Sequence, residues 1–148
     1  MVKPLDSFDE LSVGQEFDFG TITMTEAEIL DFARRYDPQP FHLDRAAAEA
    51  SIFGGLIASG LHTQATAFGQ IIRSGLFGKV SLGGTEQVVR WPAPVRPGDA
   101  IALTGRIEAL IPSRSKPDRG VAKVLYTGRR VADGVVVLEI LATAFMRR

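Results

Sequence analysis

Residues 53–75 read FGGLIASGLHTQATAFGQIIRSG, and how this stretch folds decides the architecture of the chain. Gly54, Gly55 and Gly60 lead into a run, Leu61 to Ile72, that is apolar on nearly every side and carries no Asp, Glu, Lys or Arg. A helix so poor in charge is predicted to lie inside the protein, and something must cover it. The downstream sequence supplies the cover. From Thr85 onward, β-branched and apolar residues recur in TEQVVRW, DAIALTGRIEAL, VAKVLYTGRRV and GVVVLEILATAF, which predicts four strands. RPGD and ADG are turn signals between them, and Asp133-Gly134 suits a tight hairpin. EFDFGTITM, near the N-terminus, reads as a further strand. Helices first and strands after predict an α+β domain in which an antiparallel sheet wraps around one central helix.

Upstream of that helix, MTEAEILDFARRY (24–36) sets Ile29, Phe32, Ala33 and Tyr36 at helical spacing, with Thr25 and Glu28 placed as a capping box. Pro38 ends this helix. A second short helix is expected in DRAAAEAS, with Asp44 as its N-cap. Between the two lies YDPQPFHLD (36–44), where Pro38 and Pro40 fix their own φ and bias the preceding residues away from helix, predicting a stiff extended turn.

The chain has 148 residues, 45% of them hydrophobic, which is the size of a single domain spanning 1–148 with a core of its own. Seventeen basic and seventeen acidic residues cancel, so neither nucleic acid nor an anionic membrane is expected as a partner. With no cysteine there is no disulfide, thiol nucleophile or thiolate metal site. The first residues, MVKPLDSFDE, lack an apolar signal core, and no apolar run is long enough to span a bilayer, so a cytoplasmic location is expected.

Four features could carry chemistry. Asp37 and His42 flank the two prolines, and a carboxylate beside an imidazole suits general acid–base work on a bound water. The spacing is equally that of a helix end followed by a partly buried linker histidine. Gly60 opens the central helix, where free N–H groups attract developing negative charge; the glycines serve equally well for close packing and a tight turn. His62 reads first as a structural histidine bonded to Thr66, and only second as a pocket residue. Arg114, Lys116 and Arg119, with Arg90 and Arg96 around Trp91, could meet phosphates, though a solvated loop explains them as well. Two histidines and no cysteine imply no metal.

Taken together, YDPQPFHLDRAAAEASIFGGLIASGLHT resembles the hydratase motif of the MaoC-like dehydratase family, the hot-dog-fold group that includes (R)-specific enoyl-CoA hydratases. Asp37, Pro40, His42, Asp44, Phe53-Gly54, Ile57-Ala58 and Gly60 match its pattern, and WPAPVRPGDAI (91–101) resembles its strand–turn–strand signature. Three positions depart from it: Gln39 stands where the family has asparagine, Ser59 where it has histidine, and Tyr36 where glycine commonly precedes the aspartate. The resemblance implies a hot dog and reversible hydration of a trans-2-enoyl thioester of coenzyme A. It assigns catalysis to Asp37 and His42 and substrate binding to the Gly60 backbone and Ser59. No cofactor is implied beyond the coenzyme A of the substrate, and a homodimer or higher homo-oligomer is expected. Thioester hydrolysis and non-catalytic acyl-thioester binding are the alternatives, with acyl depth set by Phe41, Phe53, Leu56, Phe68 and Trp91.

Overall fold

The computed structural model describes residues 2–148. A 3-10 turn, Phe8–Glu10, precedes strand β1 (Glu16–Thr23). Four helices follow: α1 (Glu26–Tyr36), α2 (Pro40–Leu43), α3 (Arg45–Ala50) and α4 (Gly60–Arg73). Strands β2 (Ser81–Arg90), β3 (Ala100–Pro112), β4 (Arg119–Arg130) and β5 (Val136–Arg147) complete the chain.

The strands form one sheet in the order β1-β3-β4-β5-β2, every neighbouring pair antiparallel. Strand β1, the N-terminal segment, adds an edge to the downstream strands, and β2 is the opposite edge. Period-two alternation decides which face is covered. In β4 the buried positions are Gly120, Ala122, Val124, Tyr126 and Gly128, and the residues between them stay half-exposed. Helix α4 lies against β1 and β5 and places Ala67 and Ile71 in one core cluster with Ile101, Ile107, Val124 and Ile140. Gly120 is a close approach in that core: a Cβ there would sit 2.6 Å from the Phe8 ring.

Local signals set most boundaries. Thr25 caps α1 by accepting from the Glu28 N–H at 3.3 Å, and Asp44 caps α3 by accepting from the Ala47 N–H at 3.1 Å. A complete capping box forms instead at Ser7 and Glu10, around the 3-10 turn.

Three features differ from the sequence-based expectation. The YDPQPFHLD segment is not extended throughout, because Pro40 opens the single turn α2. Proline fits the first helical position, where its missing N–H has no intrahelical partner to lose. Gln39 before it keeps the extended conformation (ψ 142°) that a following proline favours. The hairpin after β4 is wider than a two-residue turn: it closes with the Arg130 N–H donating to Val135 O, and Gly134 takes φ 72°. Helix α4 is not enclosed all round. It starts at Gly60 as expected, but Leu61 and Ile72 are 49% and 52% exposed, because the sheet of one chain covers one face of it.

Candidate active site

Three chain segments converge on one spot. Asp37 is the C-cap of α1, its backbone N–H donating to Ala33 O at 3.0 Å. His42 rides on α2, held by the proline-set turn. The third segment, the irregular approach to α4, is pinned on both sides: the Ile57 N–H donates to Phe41 O and the Ala58 N–H to Val95 O.

The orientation of His42 follows from what surrounds it. Its ring is buried (4% exposed), and Nδ1 lies 2.8 Å from Ile57 O. A carbonyl oxygen can only accept, so Nδ1 carries the hydrogen and Nε2 is left to face the site. Nε2 sits 3.2 Å from Asp37 Oδ2. The Phe41 ring meets the imidazole edge-on at 4.6 Å and the Phe53 ring at 5.2 Å, so the histidine is backed by aromatic packing.

Asp37 is held by three donors or partners. Ser59 Oγ donates to Oδ2 at 2.7 Å, Gln39 Nε2 donates to Oδ1 at 2.7 Å, and His42 approaches Oδ2. Partial burial pushes the carboxyl up, but the hydrogen bonds from Ser59 and Gln39 and the nearby imidazole outweigh it. The net effect lowers the Asp37 pKa from its ordinary value. Asp37 is therefore a carboxylate at neutral pH, with His42 Nε2 3.2 Å from its Oδ2.

The pair opens into a cavity of about 430 Å³, polar at the Asp37, Gln39 and His42 end and walled by Phe41, Phe53, Leu61 and Trp91. Gly60 and Leu61 of the first turn of α4 also line it. The His62 and Thr63 N–H groups both donate to Ser59 O, so the Gly60 and Leu61 N–H groups precede the first intrahelical bonds. Trp91 Nε1 donates to Gly60 O at 2.9 Å, and the indole lies so close that a Cβ on residue 60 would be 2.5 Å from Trp91 Cε2. Gly60 is thus required by the packing of Trp91, whatever else it does.

The other candidates fall elsewhere. Ser59 is fully buried, and its hydroxyl is turned to Asp37 rather than into the cavity. His62 stacks on Phe32 at 4.8 Å with an 11° interplanar angle, and its buried Nδ1 has no hydrogen-bond partner, so the expected bond to Thr66 is not made. Burial lowers the His62 pKa, partly opposed by Glu28. Phe68 lines a separate cavity of about 360 Å³ with Ile72, Phe77 and Tyr126, and Leu56 is a core residue. Arg96 spends its guanidinium on Phe53 O, and Arg119 pairs with Asp118. None of Arg90, Arg96, Arg114, Lys116 and Arg119 lines the cavity beside His42. Gln39 entered the sequence reading only as a departure from the family's asparagine; its amide, two residues from the aspartate, donates to Asp37 and lines the cavity. No cluster of three or more His, Cys, Asp or Glu side chains suited to a metal ion occurs among the described residues. No helix of the described residues is long and apolar enough to cross a membrane.

A five-stranded antiparallel sheet with one long helix against it is the hot-dog fold, of the α+β class. The chain belongs to the MaoC-like dehydratase family: the MaoC like domain matches residues 9–129. It is 32% identical over 120 residues to the Bacillus subtilis protein YdeM, covering 80% of this chain and 84% of YdeM. Among solved structures, the MaoC-like dehydratase from Rhodospirillum rubrum superposes with a TM-score of 0.88 at 37% identity, over 95% of each chain. The (R)-hydratase from A. caviae superposes with a TM-score of 0.69 at 25% identity, over 92% of this chain and 96% of that one.

Proposed function

We propose that the protein adds water reversibly to a trans-2-enoyl thioester, with Asp37 and His42 as the catalytic pair and coenzyme A as the carrier. One observation carries this reading: an ionised carboxylate and the Nε2 of a histidine whose Nδ1 is held by Ile57 O lie 3.2 Å apart at the polar end of an aromatic-walled cavity. A water there donates one hydrogen to Asp37 and the other to His42 Nε2, which turns its oxygen lone pair toward the ligand. As that oxygen bonds to the β-carbon, one proton leaves the water for the pair, and the electrons of the double bond move toward the thioester oxygen. The N–H groups of Gly60 and Leu61, at the positive end of α4, suit that developing charge. A proton then returns from the pair to the α-carbon, so water has added across the double bond. Nothing in these steps calls for a metal or a cofactor beyond the carrier.

The family membership and the similarity to an (R)-hydratase support the reaction class and the (R) configuration of the product. We also propose that two copies join along β2. Its edge is unpaired and nearly every residue is exposed, and Leu82 and Val88 are accompanied by the half-exposed Leu61 and Ile72 of α4.

The test is to incubate the purified protein with trans-2-enoyl-CoA thioesters of graded length, following loss of the conjugated absorbance and release of free thiol in parallel. Absorbance loss without thiol supports hydration. Thiol release supports thioester hydrolysis instead, and ligand binding without turnover supports a non-catalytic acyl-binding role.

A further inference from the structure

We propose that Ser59 is a positioning residue for Asp37, diverted from the helix-capping role its place in the chain would give it. Its kinetic consequence rests on the hydratase reading above; its effect on the Asp37 carboxylate does not.

A serine immediately before a helix ordinarily turns its hydroxyl oxygen to the N–H of the second or third helical residue. Ser7, Thr25 and Asp44 all do so in this chain. Ser59 stands at the same place before the longest helix, with φ −57° and ψ 135°, yet makes no side-chain cap. Its hydroxyl donates to Asp37 Oδ2 at 2.7 Å, the one hydrogen bond of that hydroxyl among the described residues. Ser59 has 0% exposure, so water does not compete for this bond.

Two consequences follow for the site. The first is orientation. Ser59 Oγ on Oδ2 and Gln39 Nε2 on Oδ1 hold the two carboxylate oxygens from different directions, which fixes the carboxylate plane and keeps Oδ2 at His42 Nε2. A carboxylate free to rotate would meet the imidazole only part of the time, and acid–base catalysis depends on that geometry. The second is availability. A capping hydroxyl would occupy an N–H of the first turn of α4. With Ser59 turned away, the Leu61 N–H that a cap could take is left uncapped, at a residue that lines the cavity. A helix stabilised by its cap alone would gain from the opposite arrangement, so the geometry trades helix-end stability for a prepared site.

The experiment titrates the aspartate carboxyl carbons by ¹³C NMR in the wild type, Ser59→Ala and Ser59→Cys, with Asp37→Asn to assign the resonance. Alongside it, kcat and KM for trans-2-butenoyl-CoA are measured across pH. With the hydroxyl gone, Asp37 titrates at higher pH in Ser59→Ala, and the near-isosteric but weaker thiol donor places Ser59→Cys between the two. kcat falls roughly ten- to a hundred-fold in Ser59→Ala, the scale of a hydrogen bond to a charged group, while KM changes little. The loss is largest on the acid side. Superimposable Asp37 titrations in the wild type and Ser59→Ala, or a kinetic loss confined to KM and flat with pH, would overturn the assignment. If the wild type hydrates no enoyl thioester, the functional reading falls while the carboxyl titration still decides the role of Ser59. Should Ser59→Ala fail to fold, the wild-type and Ser59→Cys comparison decides in its place.

Discussion

Replacing Gly60 with alanine adds one methyl group at the most crowded glycine beside the site, and its cost can be worked from the contacts. The new Cβ would lie 2.5 Å from Trp91 Cε2, 2.7 Å from Nε1 and 2.8 Å from Cδ2, all well inside van der Waals contact. The backbone of the first turn of α4 cannot retreat, because Ser59 O is tied to the His62 and Thr63 N–H groups. The indole is 47% exposed, so it is the part that moves, swinging outward. Doing so breaks the 2.9 Å bond from Nε1 to Gly60 O, worth about 1 kcal/mol, and leaves residual overpacking of about 1–2 kcal/mol. The better helix propensity of alanine returns up to ~0.8 kcal/mol, less at a helix end. The net destabilisation is about 1–3 kcal/mol, which for a chain of this length lowers Tm by roughly 2–12 °C. Calorimetry measures the shift, and the emission of Trp91, the only tryptophan, reports the indole moving into water. Shortening the partner should relieve the clash, so Gly60→Ala costs less in a Trp91→Leu background than alone. An unchanged Tm together with unchanged Trp91 emission would refute the claim that residue 60 must be glycine to seat the indole.

Asp37→Asn and His42→Ala should each lower kcat for hydration by about a hundred-fold or more, with melting curves still cooperative; near-wild-type turnover in either would remove that residue from the pair. Because Trp91 lines the cavity with Asp37 and His42, saturated acyl-CoA should change its fluorescence in a saturable way, and Asp37→Asn should retain that response while losing turnover. His62 makes stability depend on pH. Its folded pKa is lowered from 6.5, so its contribution is complete above that value, where both folded and unfolded chains hold it neutral. As pH falls below 6.5 the unfolded chain takes up the proton more readily, and this part of the stability is lost progressively down to the folded pKa. Denaturant midpoints at pH 7.5 and 5.5 should therefore drop more in the wild type than in His62→Gln, and equal drops would assign the acid sensitivity elsewhere.

Much of the site was legible because its determinants are local. Pro38 and Pro40 constrain the backbone between Asp37 and His42 whatever the rest of the chain does, so a stiff connection could be read from nine residues, while the turn α2 and the 3.2 Å approach of the two side chains came from the fold. Thr25 and Asp44 act on N–H groups three residues away, and period-two burial in β4 follows from the strand pleat. Ser59 was a different case. As a residue in a motif it sat beside Gly60 and was expected to meet the substrate, whereas its hydroxyl meets a carboxylate 22 positions earlier in the chain.

The amino-acid sequence by itself determined the helix caps, the strand alternation, the stiff turn bearing Asp37 and His42, and the order of elements that makes an antiparallel sheet with one long helix. Each of these depends on residues a few positions apart, or on a periodicity that any stretch of chain carries with it. The tertiary structure alone decided that Ile57 O sets the tautomer of His42, that Ser59 holds Asp37, that Trp91 covers Gly60 across 31 residues, and that α4 keeps an open face. Those outcomes depend on how α4 docks against the sheet, and docking is a property of the packed core as a whole, which no short window of sequence contains.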